Sequence, residues 1–143
     1  MEIQGAGGAI VKTGNGNLAF TGPNSYTGVT TVSGGTLALT GTGEIDESIE
    51  ITVGAGAIFS VSGRTGGGYS YGGEISGDGS VLGNPTLTAS GDLQPGGNLG
   101  NDVGTLTVSG NTALGGTYAF QINGGTGADL LQANGTVNVT GEA

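Results

Sequence analysis

Short runs of alternating residues, closed by glycines, recur along the whole chain and restrict it to a β-rich fold. Alternation with a period of two residues places one side of a strand in a core and the other in water. Glycine and β-branched residues interrupt every longer window, so no amphipathic helix is predicted. Strands are predicted at 9–13, 17–21, 36–40, 50–53, 57–61, 81–82, 86–89, 104–109, 117–122 and 136–140.

The same alternation predicts which side chains face the core. The segment Glu44–Glu50 is interpreted as a turn that leads into a strand rather than as a helix. Outward positions fall to Thr and Ser, which form strands well without carrying charge. Four sets are expected to face inward together: Leu18 with Phe20; Leu37 with Leu39; Ile49 with Ile51 and Val53; and Ala57 with Phe59 and Val61, opposite Ile58.

Glycine accounts for 35 of the 143 residues, far above the usual share of about 7%. Collagen requires glycine at every third position, which is not the case here, and the regular aliphatic runs argue against disorder. Two classes remain, an antiparallel sandwich and a β-helix. Single-glycine turns, few aromatic residues and the mutual similarity of GNGNLAFTG, SGGTLALTG and NGTVNVTG favour the β-helix. Corners of such a helix need the backbone freedom that glycine and asparagine supply.

A β-helix of this length is expected to have roughly six coils of about 20–25 residues and to form a rod about 30 Å long. Residues 1–6 and 141–143 show no helical or charged capping pattern. Open ends of a β-structure invite further pairing. The ends of this rod are therefore expected to join neighbouring coils, either of a longer parent chain or of another copy.

The charge is sparse and negative: Lys12 and Arg64 are the two cations, against 11 acidic residues and a net charge of -9. Nucleic acids and anionic membranes require clusters of Lys and Arg, so both partners are excluded. No segment has the ~20 apolar residues of a membrane helix. The chain lacks His and Cys, which rules out the usual nucleophilic triads and zinc sites. We expect no enzymatic activity and no cofactor.

The first forty residues resemble the passenger-associated repeat of bacterial autotransporters, also called the autotransporter-associated β-strand repeat. The family pattern of Gly, Lys-Thr-Gly, alternating apolar residues, Thr-Gly, Asn-x-Tyr-Thr-Gly, Thr-Thr-Val and Gly-Thr-Leu is similar to residues 8–37. Later segments, 94–110 and 116–131, resemble elements that follow the repeat. The matching residues are Gly8, Ile10, Val11, Lys12–Gly14, Gly16, Leu18, Phe20, Thr21, Gly22, Asn24, Tyr26–Gly28, Thr30–Val32 and Gly35–Leu37.

The resemblance implies an all-β, right-handed parallel β-helix outside a bacterium or on its surface. It implies one module over residues 1–143, with the repeat at 1–42 and further coils at 43–143. It also implies a structural or export-assisting role and does not imply an activity. The expected function is a stalk, spacer or fibre segment, with adhesion to glycans or host proteins as the alternative. A third possibility, ice binding through Thr21, Thr40, Thr88 and Thr107, is disfavoured because these threonines form no regular ranks.

Few residues are candidates for binding. Tyr69 and Tyr71, flanked by glycines, could present aromatic rings to a glycan, although a turn that covers the rod is favoured. Residues 124–131 match one copy of a calcium-binding nonapeptide, with Asp129 as the ligand. Calcium needs a stacked second copy, so a glycine loop before a strand, capped by Asp129, is favoured. The acidic group Glu44, Asp46, Glu47 and Glu50 is interpreted as a solvated turn, with a metal or sugar site as the alternative. Lys12 is expected to pair with a carboxylate on a neighbouring coil.

Overall fold

The computed structural model describes residues 3–97, 103–119, 121–123 and 127–140, and in these ranges the chain winds into a parallel β-solenoid. Three sheets run along it. The first consists of β1 (Ile10–Lys12), β3 (Thr30–Val32), β5 (Glu50–Val53), β8 (Glu74–Gly77), β11 (Asp92–Pro95) and β14 (Thr117–Tyr118). The second consists of β2 (Asn17–Phe20), β4 (Thr36–Gly41), β6 (Ile58–Arg64), β9 (Ser80–Leu82), β12 (Thr105–Ser109) and β17 (Leu130–Ala133).

The third sheet is shorter and begins only in the third coil. It consists of β7 (Tyr69–Tyr71), β10 (Pro85–Leu87), β13 (Thr112–Leu114) and β18 (Val137–Val139). In the first two coils this side is irregular, and a single bridge joins Pro23 to Glu44. One antiparallel pair, β15 (Ile122–Asn123) with β16 (Gly127–Ala128), projects from the last coil. The described part of the chain contains no helix that could cross a membrane.

Parallel pairing in register stacks equivalent residues of successive coils into rows. In the second sheet one row runs Leu18, Leu37, Phe59, Val81, Val108 and Ala133. In the first sheet a row runs Ile10, Thr30, Ile51, Ile75, Leu93 and Tyr118. These rows meet in the bore, where the middle members are fully or almost fully buried. The bore is the hydrophobic core, and each coil contributes to it at the same positions.

The all-β parallel solenoid predicted from the sequence is confirmed. Six strands in each of the first two sheets correspond to about five turns, close to the predicted six coils. The buried pairs Leu37 with Leu39 and Phe59 with Val61 are as predicted. Ile49 was wrongly placed in the core, because the turn closed by the Ser48 N–H to Ile45 carbonyl bond leaves its side chain 64% exposed. Strand 117–122 is divided into β14 and β15, and Phe120 lies outside the described residues.

Sequence reasoning missed several strands of two to four residues. These are β3, β7, β8, β11, β13 and β16. The segment of β7, Tyr-Ser-Tyr, had been interpreted as part of a turn, yet it alternates buried, exposed and buried. Tertiary pairing with β10 overrides the local glycine signal there.

Candidate functional site

Tyr69 and Tyr71 lie inside the solenoid and not on its surface. Their side chains are 2% and 1% exposed. The two rings stack with centroids 5.9 Å apart, and Phe59 meets Tyr69 edge-on at 6.1 Å. Both residues belong to inward positions of β7, where their rings fill the bore at the start of the third sheet. This placement corrects the hypothesis of a glycine loop that offers the two rings to a glycan, since neither ring can be reached.

The hydroxyl groups of these tyrosines form hydrogen bonds to the turn at 45–48, which lies within the acidic segment Glu44–Glu50. Tyr71 Oη donates to the Ser48 carbonyl at 2.6 Å, and Tyr69 Oη accepts from the Ile45 N–H at 3.3 Å. Burial raises the pKa of both phenols, and the Asp46 carboxylate raises that of Tyr69 further. A neutral phenol is thereby kept at each position, and the two rings anchor turn 45–48 to the core.

A second buried polar chain begins at Tyr26, which belongs to the Asn-x-Tyr-Thr-Gly motif. Tyr26 Oη lies 2.7 Å from Thr30 Oγ1, which lies 2.9 Å from Ser48 Oγ. Ser48 Oγ is within reach of the Gly28 and Glu50 carbonyls, at 2.8 and 3.0 Å. Carbonyls only accept, so the single hydroxyl hydrogen of Ser48 is shared between them, Thr30 donates to Ser48, and Tyr26 donates to Thr30. Thr30 and Ser48 are therefore satisfied although both are buried.

Asn24 links three levels of the irregular side. Its Oδ1 accepts from the Ile3 N–H at 2.8 Å, and its Nδ2 donates to the carbonyls of Gly22 and Glu44 at 2.9 and 3.1 Å. The Asn24 backbone N–H donates to Glu44 as well, at 3.0 Å. With 3% of its surface exposed, this amide replaces the strand pairing that the first two coils lack on this side.

Lys12 caps a corner rather than pairing with a carboxylate, so the predicted ion pair is wrong. Its side chain is 8% exposed and points inward at the end of β1. Its Nζ donates to the carbonyls of Thr13, Gly14 and Gly34 at 2.8, 2.9 and 2.9 Å. An ammonium has three donors and all three are used, which gives the Lys-Thr-Gly motif a structural reason.

Arg64, the second cation, also serves a corner. Its Nη1 donates to the Gly43 carbonyl, and its guanidinium lies 4.8 Å from the centre of the Tyr69 ring. Nη2 is 3.9 Å from Glu44 Oε2. Contacts to a ring face and to a half-exposed carboxylate each contribute on the order of 1 kcal/mol or less. Both cations of the sequence are thus engaged by the protein's own backbone, and neither forms part of an anion-binding patch.

The carboxylates do not gather into a metal site in the described residues. Asp46 and Glu47 are exposed at the turn, as the solvated-turn interpretation predicts. Glu50 instead begins a row, because register stacks Glu50, Glu74 and Asp92 on the outer side of the first sheet. Its Oε1 accepts from Thr52 and Ser76 at 2.8 and 3.0 Å. Partial burial raises the pKa of Glu74, and the neighbouring Glu50 and Asp92 carboxylates raise it further.

Asp129 is buried and accepts two backbone hydrogen bonds. Its oxygens receive the N–H groups of Gly104 at 3.0 Å and Gln121 at 2.8 Å. It therefore ties the last described coil to the one before it, which is a capping role. Calcium binding, the disfavoured alternative for this residue, also involves Gly124–Thr126, which lie outside the described residues.

Sequence reasoning missed Asn24, Thr30 and Ser48 as structural polar residues. Asn24 and Thr30 lie within the motif, so their regular spacing was a usable signal. Ser48 gave none, because a serine within an acidic turn is usually solvated.

Comparison with known proteins matches the first part of the chain to a family model. Residues 10–39 match the model of the passenger-associated-transport-repeat family. The chain is 33% identical, over 94% of its length, to the Neisserial autotransporter lipoprotein NalP of Neisseria meningitidis serogroup B. It is equally similar, over 94% of its length, to the adhesin BmaC autotransporter of Brucella suis biovar 1. The chain spans 12% of the former and 3% of the latter. No solved structure matches.

Proposed function

We propose, from the match of residues 10–39 to the passenger-associated transport repeat, that the chain is a structural segment of a bacterial passenger. In this role it lies outside the cell or on its surface and acts as a stalk, spacer or fibre segment. It performs no catalysis; the absence of His and Cys from the sequence supports this part of the proposal.

The observation that carries the proposal is the continuity of the inward rows. At the last described coil, Tyr118, Val137 and Val139 occupy the same rows as the buried Leu93, Thr112 and Leu114. They are nevertheless 37%, 37% and 65% exposed. An apolar row that continues to an open strand edge is completed by another coil, which buries the side chains and pairs the free backbone groups. We propose that such coils belong to the same passenger or to a second copy.

Self-association is tested by light scattering and electron microscopy across a range of concentrations. The wild-type chain is expected to form end-to-end assemblies whose mass rises with concentration. Val139→Lys should abolish them, because it places a charge in the exposed inward row. Ile49→Lys is the matched control, since Ile49 is equally exposed (64%) but lies before β5 in a middle coil, away from both ends. A monomer at all concentrations would restrict the proposal to coils within one chain.

Adhesion is a second candidate function, favoured by the name of the Brucella relative, an adhesin. Tyr69 and Tyr71 are buried, so an adhesive surface would have to lie elsewhere on the solenoid. Binding of the purified chain to immobilised host matrix proteins tests this function. Loss of binding when the outer surface is mutated, with the melting temperature unchanged, would support it.

A further inference from the structure

An open groove lies along the outer side of the third sheet, about 400 Å³ in volume. Pockets that hold small ligands usually have volumes of about 300–1,000 Å³. The groove crosses three successive coils, because its walls come from β10, β13 and β18 and from the corners before them. Its lining includes Asn84, Thr86, Asn111, Ala113, Thr136 and Asn138.

One wall of the groove is a ladder of side-chain amides. Asn84 Nδ2 donates to the Gly67 carbonyl at 3.0 Å, and Asn84 Oδ1 accepts from the Asn111 N–H at 2.9 Å. Asn111 Oδ1 accepts from the Thr136 N–H at 3.1 Å. Each amide is therefore oriented by the neighbouring coil before any ligand arrives. Such preorganisation lowers the cost of binding.

Polar groups on this surface remain available to a ligand. Asn111, Asn138 and Thr86 are exposed. In the described part of the chain, Asn111 Nδ2 makes no hydrogen bond to protein, nor do the side chains of Thr86 and Asn138. Amides offer both donors and acceptors, and hydroxyls do the same. The methyl groups of Ala113 and the threonines supply apolar contact beside them.

The lining contains no charged residue, and the chain as a whole carries a net charge of -9. Sulfated or carboxylated ligands would be repelled by the whole-protein field and would find no cation in the groove. We propose that this groove binds a neutral glycan chain, held by hydrogen bonds from Asn111, Thr86 and Asn138. The coil spacing of about 4.8 Å repeats similar groups along the groove, which suits a ligand that is itself a repeat of similar units.

The proposal refines the adhesive function, and its test separates the two. Titration calorimetry and ligand-observed NMR are performed with chitohexaose, cellohexaose and mannohexaose, and with tetragalacturonate as the acidic probe. The wild-type chain is expected to bind at least one neutral hexasaccharide and not the acidic one. Thr86→Ala/Asn138→Ala should weaken binding about tenfold, the change expected for two lost hydrogen bonds.

The matched control is Gln132→Ala, which removes an exposed amide from β17 in the second sheet of the same coil. It should bind as the wild type does, and circular dichroism should show all three proteins equally folded. The proposal that the groove binds a neutral glycan is overturned if no neutral probe binds, or if the double variant and the control lose binding equally. Host-protein binding that persists without glycan binding would retain adhesion and reject the groove.

Discussion

Replacement of Asn24 by alanine is expected to destabilise the first coils strongly. The substitution removes the three side-chain hydrogen bonds of a residue that is 3% exposed. Each bond contributes about 1 kcal/mol net, and each stranded carbonyl adds a desolvation cost. The Ile3 N–H is half-buried and can recover a water partner. We therefore expect a loss of about 2–3 kcal/mol in the free energy of unfolding.

Urea denaturation, followed by circular dichroism and tyrosine fluorescence, measures this loss. A solenoid can unfold coil by coil, so hydrogen exchange of the Asn24 and Glu44 amides should accompany it. Asn17→Ala is the matched control, because Asn17 lies on β2 with its side chain exposed and without a hydrogen bond to the described residues. A loss for Asn24→Ala no larger than for Asn17→Ala, below about 0.5 kcal/mol, refutes the reasoning.

Asn24→Asp distinguishes the two ends of the amide. The carboxylate keeps an acceptor for Ile3 but faces the carbonyl oxygens of Gly22 and Glu44, where Nδ2 had donated. At pH 7 this variant should be less stable than Asn24→Ala, because a buried charge without a donor is costly. The same burial raises the pKa of this Asp in the folded state above its ordinary value of about 3.9, and protonation restores one donor. Stability relative to the wild type should therefore partly recover as the pH falls through the raised pKa towards about 3.9.

Three further outcomes follow from the structure. Gly28→Ala should cost about 1–3 kcal/mol, because a Cβ at Gly28 would lie 2.5 Å from the Gly8 carbonyl oxygen, whereas Gly22→Ala, with open space around it, should be near neutral in the same melts. Glu74 has a raised pKa, so the folded state keeps a proton that the unfolded state loses above about pH 4.5, and stability falls as the pH rises through that range. Glu74→Gln should therefore raise the free energy of unfolding by about 0.5 kcal/mol at pH 7 and leave it unchanged at pH 4. Glu47→Gln at the exposed turn should leave it unchanged at both pH values. Burial raises the pKa of all four tyrosines, and for the buried Tyr26, Tyr69 and Tyr71 the ultraviolet tyrosinate signal should appear above pH 10 only together with unfolding. Titration in the folded protein of any tyrosine besides the half-exposed Tyr118 would contradict this.

The sequence predicted buried positions best where the buried side chains are apolar. Leu37 and Phe59 alternate with polar neighbours, and the bore requires this alternation, so their positions could be predicted. The position of Ile49 could not be predicted in this way. The alternation continues through it in the sequence, but the turn at 45–48 leaves its side chain exposed. Thr30 was missed for another reason, although its place in the motif was a usable signal. An inward threonine is stable here because Tyr26 and Ser48 complete its hydrogen bonds.

The buried tyrosines show a related limit. Tyr69 and Tyr71 alternate around a serine, but three glycines before them and two after them make a loop the better local interpretation. Only pairing with β10, fourteen or more residues further along the chain, fixes them as a strand. The partners of Lys12 could not be predicted for the same reason. Its three acceptors are backbone carbonyls of two corners, and no side-chain pattern in the sequence marks them.

Stacking in register explains why the surface rows of this chain differ so much in energy. Asn84 above Asn111 is favourable, because each amide hydrogen-bonds to the coil beside it. Glu50, Glu74 and Asp92 are stacked by the same geometry, and there the repetition brings like charges together. In a solenoid, an interaction between neighbours in a row is thus repeated from coil to coil, whether it is favourable or unfavourable. Recognition on such a surface has to be sought along rows whose members are 16 to 27 residues apart in the chain, and the neutral amide row can present polar groups to a ligand without self-repulsion.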